Sequence, residues 1–207
     1  MRGQNMIKIY GHPQTSAGRV YWLLEELGVE YEIQPFEFKN GDHKKPEFLS
    51  LNPNGKIPVI DDAGFVLWDS SAICRYLAEK HKPELLGSNI KEQALVSQWS
   101  FWAVADFQPP VITAFIQSVF VPEDKRQQQI IDTNLDKARK YTEIMEAQHK
   151  KDGFLATESY SVADMSVCFV LNVLKTLKFD FKTTPLLSDW LETQLMRPSI
   201  KRVQEQK

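Results

Sequence analysis

Several side chains in this sequence are of types that do chemistry. Three hydroxyls, on Tyr10, Thr15 and Ser16, stand in or beside the first loop, where a hydroxyl can donate a hydrogen bond to an anion. Three basic side chains, His43, Lys44 and Lys56, lie in two polar, turn-rich stretches and are suited to face carboxylates. Asp69 and Ser70 precede a helical pattern. The free N–H groups and dipole of a helix N-terminus bind carboxylates; the Ser70 hydroxyl adds a donor and Asp69 offers an acceptor for an ammonium group. The same pair is ordinary N-cap chemistry, and the two roles are compatible. Pro58 interrupts the β-like run Ile57-Pro58-Val59-Ile60, which requires an edge position or a cis peptide. Cys74 and Cys168 form no Cys-x-x-Cys pair, so neither a disulfide framework, a zinc site nor a dithiol reductase is indicated, and two free thiols fit a reducing compartment. Ser161 and Asp164 read as a capping box rather than as a catalytic acid.

The elements that must position these groups follow from periodicity. Residues 7–10 alternate and run into Gly11-His12-Pro13, which predicts a strand leaving into a loop. Residues 19–27 have helical spacing with Gly28 at the stop, and 30–38 alternate again, so the opening reads as a βαβ unit with a parallel pair. A polar loop over 39–46, a short helix over 47–51 and the turn Asn52-Pro53-Asn54-Gly55 follow. A hairpin about Asp61-Asp62-Ala63-Gly64 returns as Phe65-Val66-Leu67-Trp68, and a helix is expected over 72–80. After a break at 81–84 the β signals vanish. Helices are expected over 91–120, bent or broken at Pro109-Pro110, then over 123–150, from Ser161 onward, over 186–195 and over 199–204.

The bulk composition sets limits. With 207 residues, 43% hydrophobic and 25% charged, the chain can bury one large core or two small ones. A formal charge of −2 supplies no net basic field for nucleic acid or an anionic membrane. The opening, Met1 to Met6, is polar and shows no apolar leader, and the longest apolar stretch, 162–174, is interrupted by Asp164 and Asn172. A soluble, cytoplasmic protein is the expectation.

Five stretches, in this order and spacing, resemble the cytosolic glutathione transferases over nearly the whole chain. They are Gly11-His12-Pro13 with Arg19-Val20, residues 22–28, Asn52-Pro53-Asn54-Gly55-Lys56-Ile57-Pro58, Asp69-Ser70-Ser71-Ala72-Ile73 and Ser161-Val162-Ala163-Asp164. The first loop looks like that of serine-type members, and the loop 41–45 like that of phi-like and theta-like members. The resemblance implies an α/β thioredoxin-like domain over 6–81, a linker over 82–90 and an all-α helical bundle over 91–207. It also implies a homodimer, glutathione as co-substrate with no cofactor or metal, and a small hydrophobic electrophile as second substrate.

Carried onto this sequence, the family's site assigns the cysteinyl backbone of glutathione to Ile57 and Pro58 and the glutamyl end to Asp69 and Ser70, although the family more often has Glu or Gln where Asp69 stands. Lys56, His43 and Lys44 would face the glycine carboxylate. Free cysteine thiol titrates at about 8.5, so lowering it by about two units asks for roughly 2.7 kcal/mol of thiolate stabilisation. Counting back from Arg19 places Thr15 where serine-type members carry the activating hydroxyl. Ser16 is adjacent, and Tyr10 fits the tyrosine-type position, so three candidates stand. Phe107, Pro110, Val111 and Phe115 would line the electrophile pocket. The function implied is glutathione conjugation, with peroxide reduction starting from the same thiolate. The alternative is a catalytically weak glutathione-binding or regulatory protein, which threonine at the serine position favours.

Overall fold

The structure is a computed structural model and describes residues 6–205. The polar opening before Met6 lies outside the described residues. Contacts divide the chain into residues 1–83 with 198–207, and residues 84–197.

The first unit is built on a four-stranded sheet in the order β2-β1-β3-β4. β1 (Ile7–Tyr10) and β2 (Tyr31–Gln34) run parallel across α1 (Gly18–Leu27), as the βαβ reading requires. β3 (Val59–Asp62) pairs antiparallel with β1, and β4 (Phe65–Trp68) antiparallel with β3. Ala63 and Gly64, both at positive φ, make the tight turn that joins the last two strands. Residues 19–24 of α1 are all buried because the helix also packs against α3 (Ser70–His81) and α9 (Pro198–Glu205). Gly28 ends α1 in the left-handed conformation, its N–H on the Leu24 carbonyl.

Two expectations for this unit change. The second strand ends at Gln34 rather than running to residue 38. Phe36 and Phe38 leave the ladder to meet each other, and Phe36 also meets Phe48, so aromatic packing ends the alternation. The last helix, assigned from sequence to the helical domain, packs on α1: Ser199 Oγ donates to Glu26 at 2.6 Å and Arg202 pairs with Glu25. Its sequence carries no sign of which helix it covers.

The second unit is all helical. α4 (Ile90–Trp102), a π-helical turn (Ala103–Phe107) and α5 (Gln108–Val119) follow without a gap. Of the bend or break expected at Pro109-Pro110, the helical run shows no break, but its pattern changes at the π turn just before the prolines. The prolines fall in the first turn of α5, and the wider π turn before them, closed by the Gln108 N–H on the Ala103 carbonyl, accommodates the altered backbone pattern. α6 (Gln128–Asp152) begins five residues later than expected, after a short 3-10 turn. α7 (Val162–Thr176) buries ten of its fifteen residues and packs against α4, α5 and α8 (Pro185–Leu195). The capping box is present: Asp164 accepts from the Ser161 N–H at 2.9 Å, from its hydroxyl at 2.7 Å and from the Leu155 N–H at 3.0 Å. Burial still holds the Asp164 carboxyl above its ordinary range. No helix among the described residues is long and apolar enough to cross a membrane.

Candidate functional site

The register brings the candidate residues of the first unit to one end of the sheet. Tyr10 ends β1 opposite Val59, which begins β3, and Val59 stands opposite Trp68, which ends β4. The first loop, the Ile57–Pro58 segment and the Asp69–Ser70 turn therefore leave or enter the sheet at the same end. The Ile57–Pro58 peptide is cis, one of the two alternatives the sequence left for that proline.

The three hydroxyls have different surroundings. Thr15 Oγ1 donates to the His12 carbonyl at 2.7 Å and accepts the Ala17 N–H at 3.2 Å, where α1 begins. Ser16 Oγ donates across the site to the Ile57 carbonyl at 3.1 Å. Tyr10 packs edge-on against Phe48, with ring centroids 6.0 Å apart. Gly11 keeps the loop flush with the strand segment: a Cβ there would lie 2.9 Å from Ala17 Cβ and 3.3 Å from Ile57 Cβ.

Asp69 sits at φ 78°, an unusual backbone for a non-glycine residue, and caps α3. Its Oδ1 accepts from the Ser71 N–H at 2.9 Å and the Ala72 N–H at 3.0 Å, while Oδ2 makes no hydrogen bond among the described residues. One oxygen thus caps the helix and the other takes no part in the cap. Ser70 is nearly buried beside it, and the neighbouring Ser71 hydroxyl is buried with no hydrogen-bond partner among the described residues. Arg19 is 1% exposed and close enough to Asp69 to feel its charge; burial lowers its guanidinium to about 10 against that pull.

Loop 41–45 packs on the 52–56 turn. The His43 carbonyl lies 2.7 Å from where a Cβ on Gly55 would stand, and Gly55 has φ +62°, so only glycine fits there. The His43 ring rests on Phe38, and its Nδ1 is buried without a partner. Lys45 is held by Asp42 at 2.6 Å, whereas Lys44 and Lys56 are exposed and make no ion pair among the described residues. Asn52, which sequence reading treated only as part of a turn, organises this loop. Its Nδ2 donates to the Lys56 carbonyl at 2.6 Å and its Oδ1 accepts the Asn54 N–H at 3.0 Å. Tyr21, buried in α1, was also missed; its hydroxyl donates to the Gly11 carbonyl at 2.8 Å. The Asn-Pro-Asn-Gly pattern offered a signal for Asn52, but nothing local marked Tyr21.

The four residues expected to line an electrophile pocket lie in the helical unit and differ among themselves. Phe107 and Val111 have no exposed surface and Pro110 is buried, so they correct to core residues; Phe107 stacks on Trp102 and meets Tyr141 edge-on. Apolar burial of the π turn and of one side of α5 takes them inward. Phe115 alone of the four is partly exposed. A shallow cavity of about 460 Å³ lined by Gln127, Gln128, Ile130 and Asn134 opens at the start of α6 and holds none of the candidates. Among the described residues no three His, Cys, Asp or Glu side chains cluster as a metal site.

Residues 5–79 match the family described as "Glutathione S-transferase, N-terminal domain", and residues 107–198 match "Glutathione S-transferase, C-terminal domain". The chain is 35% identical to Glutathione S-transferase 4 of Zea mays, over 95% of this chain and 91% of that one. It is 32% identical to Glutathione S-transferase 1 of Triticum aestivum, over 95% and 93%. Among solved structures, it is similar to a glutathione S-transferase-I bound with lactoylglutathione (TM-score 0.89, 32% identity, 96% and 98% covered). It is equally similar to glutathione transferase F7 from Populus trichocarpa (TM-score 0.89, 31% identity, 97% and 98% covered).

Proposed function

The chain belongs to the glutathione S-transferase family, and from that premise we propose that it conjugates glutathione to small apolar electrophiles, with Thr15 activating the thiol. It is a transferase enzyme of the plant phi-like kind, with threonine in the serine-type position. In this reading glutathione extends along the sheet end. Its cysteinyl unit pairs with the Ile57 backbone, in the manner of a strand added to a sheet edge. The glutamyl ammonium meets Asp69 Oδ2, and its carboxylate meets Ser70 and the N-terminus of α3. The glycine carboxylate faces Lys56, with His43 and Lys44 beside it.

The observation that carries the assignment of Thr15 is its pair of hydrogen bonds. An oxygen that already accepts the Ala17 N–H has its O–H polarised, and it sits at the positive end of α1. Turning that proton from the His12 carbonyl to the sulfur makes a charge-assisted hydrogen bond worth about 1.5–3 kcal/mol. Giving up the neutral bond to His12 costs about 0.5–1.5 kcal/mol of this, so the dipole at the start of α1 must supply the remainder of the thiolate stabilisation required. The thiolate then attacks the electrophilic carbon, forming a C–S bond as the leaving group departs or the acceptor bond takes the electrons. Tyr10, held against Phe48, serves as a packing aromatic. Phe115 is the expected aromatic contact for an apolar substrate. No bound cofactor takes part, and the protein acts as a cytoplasmic homodimer, two-fold dimers being the commonest oligomers.

Titrating bound glutathione by the ultraviolet absorbance of its thiolate tests this. Wild type and Tyr10→Phe should show a lowered thiol pKa, and Thr15→Ala should return it to the free value. A bound thiol with no shift in wild type would remove the conjugation mechanism, and absence of glutathione binding would remove the site. Light scattering should give a mass about twice the chain's 23.9 kDa.

A further inference from the structure

We propose that Ser16 is a positioning residue for the tripeptide: it fixes the Ile57 carbonyl that docks the glutathione backbone and does not activate the thiol. The inference rests on the glutathione-site reading above. Ser16 Oγ donates to the Ile57 carbonyl at 3.1 Å, joining positions 41 residues apart. Among the described residues it is the side-chain hydrogen bond that links the first loop to the cis segment. The contact is braced on either side. Gly11 lies close to both Ala17 and Ile57, and Tyr21 holds the Gly11 carbonyl from within α1.

Ile57 lies just outside β3, whose pairing with β1 begins at Val59, so the ladder does not set its peptide plane. Ser16 does. A carbonyl oxygen has two lone pairs, so Ser16 can occupy one while the other accepts a ligand N–H. Fixing the direction of that carbonyl prepares the edge that an extended peptide must match. A serine hydroxyl has one proton. Both hydroxyls donate to a backbone carbonyl, Thr15 to His12 at 2.7 Å and Ser16 to Ile57 at 3.1 Å; turning the Ser16 proton to a sulfur would remove the donor that orders the docking edge, whereas turning the Thr15 proton breaks only a bond within its own loop. Thr15, one residue earlier, bonds only within its own loop and the start of α1. The two adjacent hydroxyls therefore divide the work, Thr15 for the thiol and Ser16 for the backbone.

The test uses two ligands, glutathione and S-methylglutathione, whose sulfur cannot ionise. Ser16→Ala should weaken both by about three- to tenfold, the loss of one neutral hydrogen bond, with the bound thiol pKa unchanged. Thr15→Ala should raise the thiol pKa and leave S-methylglutathione binding as in wild type. Ser16→Thr and Ser16→Val, alike in shape, differ in the hydroxyl; the threonine should restore affinity for both ligands and the valine should not. This pair serves equally if Ser16→Ala melts too low to assay. Wild-type affinity for both ligands in Ser16→Ala and Ser16→Val would overturn the inference, as would a shifted thiol pKa with S-methylglutathione unaffected. If wild type binds neither ligand, the site reading itself falls.

Discussion

At the scale of single residues, two hydroxyls one position apart separate by the partners their oxygens keep. Thr15 accepts the Ala17 N–H and donates within its own loop to His12, whereas Ser16 donates to Ile57 in the docking segment. Thiolate is the reactive form, so a lower pKa raises its fraction at neutral pH, and losing the donor moves the acid limb of kcat/KM to higher pH. Thr15→Ala should therefore lower kcat/KM at neutral pH by about 10–100-fold if the shift is about two units. The loss should shrink above the free thiol pKa, and Thr15→Ser should keep activity. A uniform loss at all pH values would speak against thiol activation. The enzyme's own thiols are a separate matter. Burial pushes Cys74 up to about 12 and Cys168 well above its usual range. Iodoacetamide at neutral pH should label neither in the native protein, and inactivation that tracks labelling of Cys74 would contradict that.

At the scale of elements, the start of α3 serves stability and binding with one carboxylate. Asp69→Asn retains a capping oxygen, so urea denaturation should shift little, while the loss of charge should weaken glutathione binding measured by calorimetry. Asp69→Ala should lose both, with a stability cost of about 1 kcal/mol. Equal stability losses in the two variants would mean that the charge, not the cap, holds the helix. The turn before β3 is more demanding. Gly55→Ala places a methyl group against the His43 carbonyl at positive φ and should destabilise by more than about 1 kcal/mol, with Lys56 and Ile57 displaced together.

At the scale of the whole molecule, each unit has a buried feature that its stability should report. In the helical unit His149 is buried edge-on to Trp190, with no hydrogen-bond partner for either ring nitrogen among the described residues. Burial lowers its pKa, against an opposing pull from Glu146, which also caps α8 by accepting the Leu187 N–H at 2.7 Å. A folded pKa below about 6.5 means that the unfolded chain binds the proton first. Stability should therefore fall as pH drops through that value, and His149→Leu should flatten this part of a melting-temperature profile. An unchanged slope would assign it to other groups. In the first unit, truncation after Arg197 removes the helix that pairs Ser199 with Glu26 and Arg202 with Glu25 and buries Ile200. The melting temperature should drop even though no candidate site residue is removed.

What could be read from the amino-acid order was local or patterned: the βαβ opening, the all-helical second half, the capping box at Ser161 and the turn residues about Gly55. Asp69 as a helix cap and the special status of Pro58 belong here too, because capping and proline geometry act within a few residues. The site residues could be nominated by resemblance, and its spacing put Thr15 before Ser16 and both before Tyr10, but the partners that separate the two neighbours could not be read. Which hydroxyl is tied to the docking segment depends on Ile57 meeting Ser16 across 41 residues, and on Gly11 admitting that approach. The inward turn of Phe107 and Val111, the docking of α9 on α1 and the unbroken run through Pro109 and Pro110 were likewise decided only by the tertiary structure. An apolar face announces that it will be buried, and a hydroxyl that it will bond. The partner of each is set by packing between segments distant in the chain.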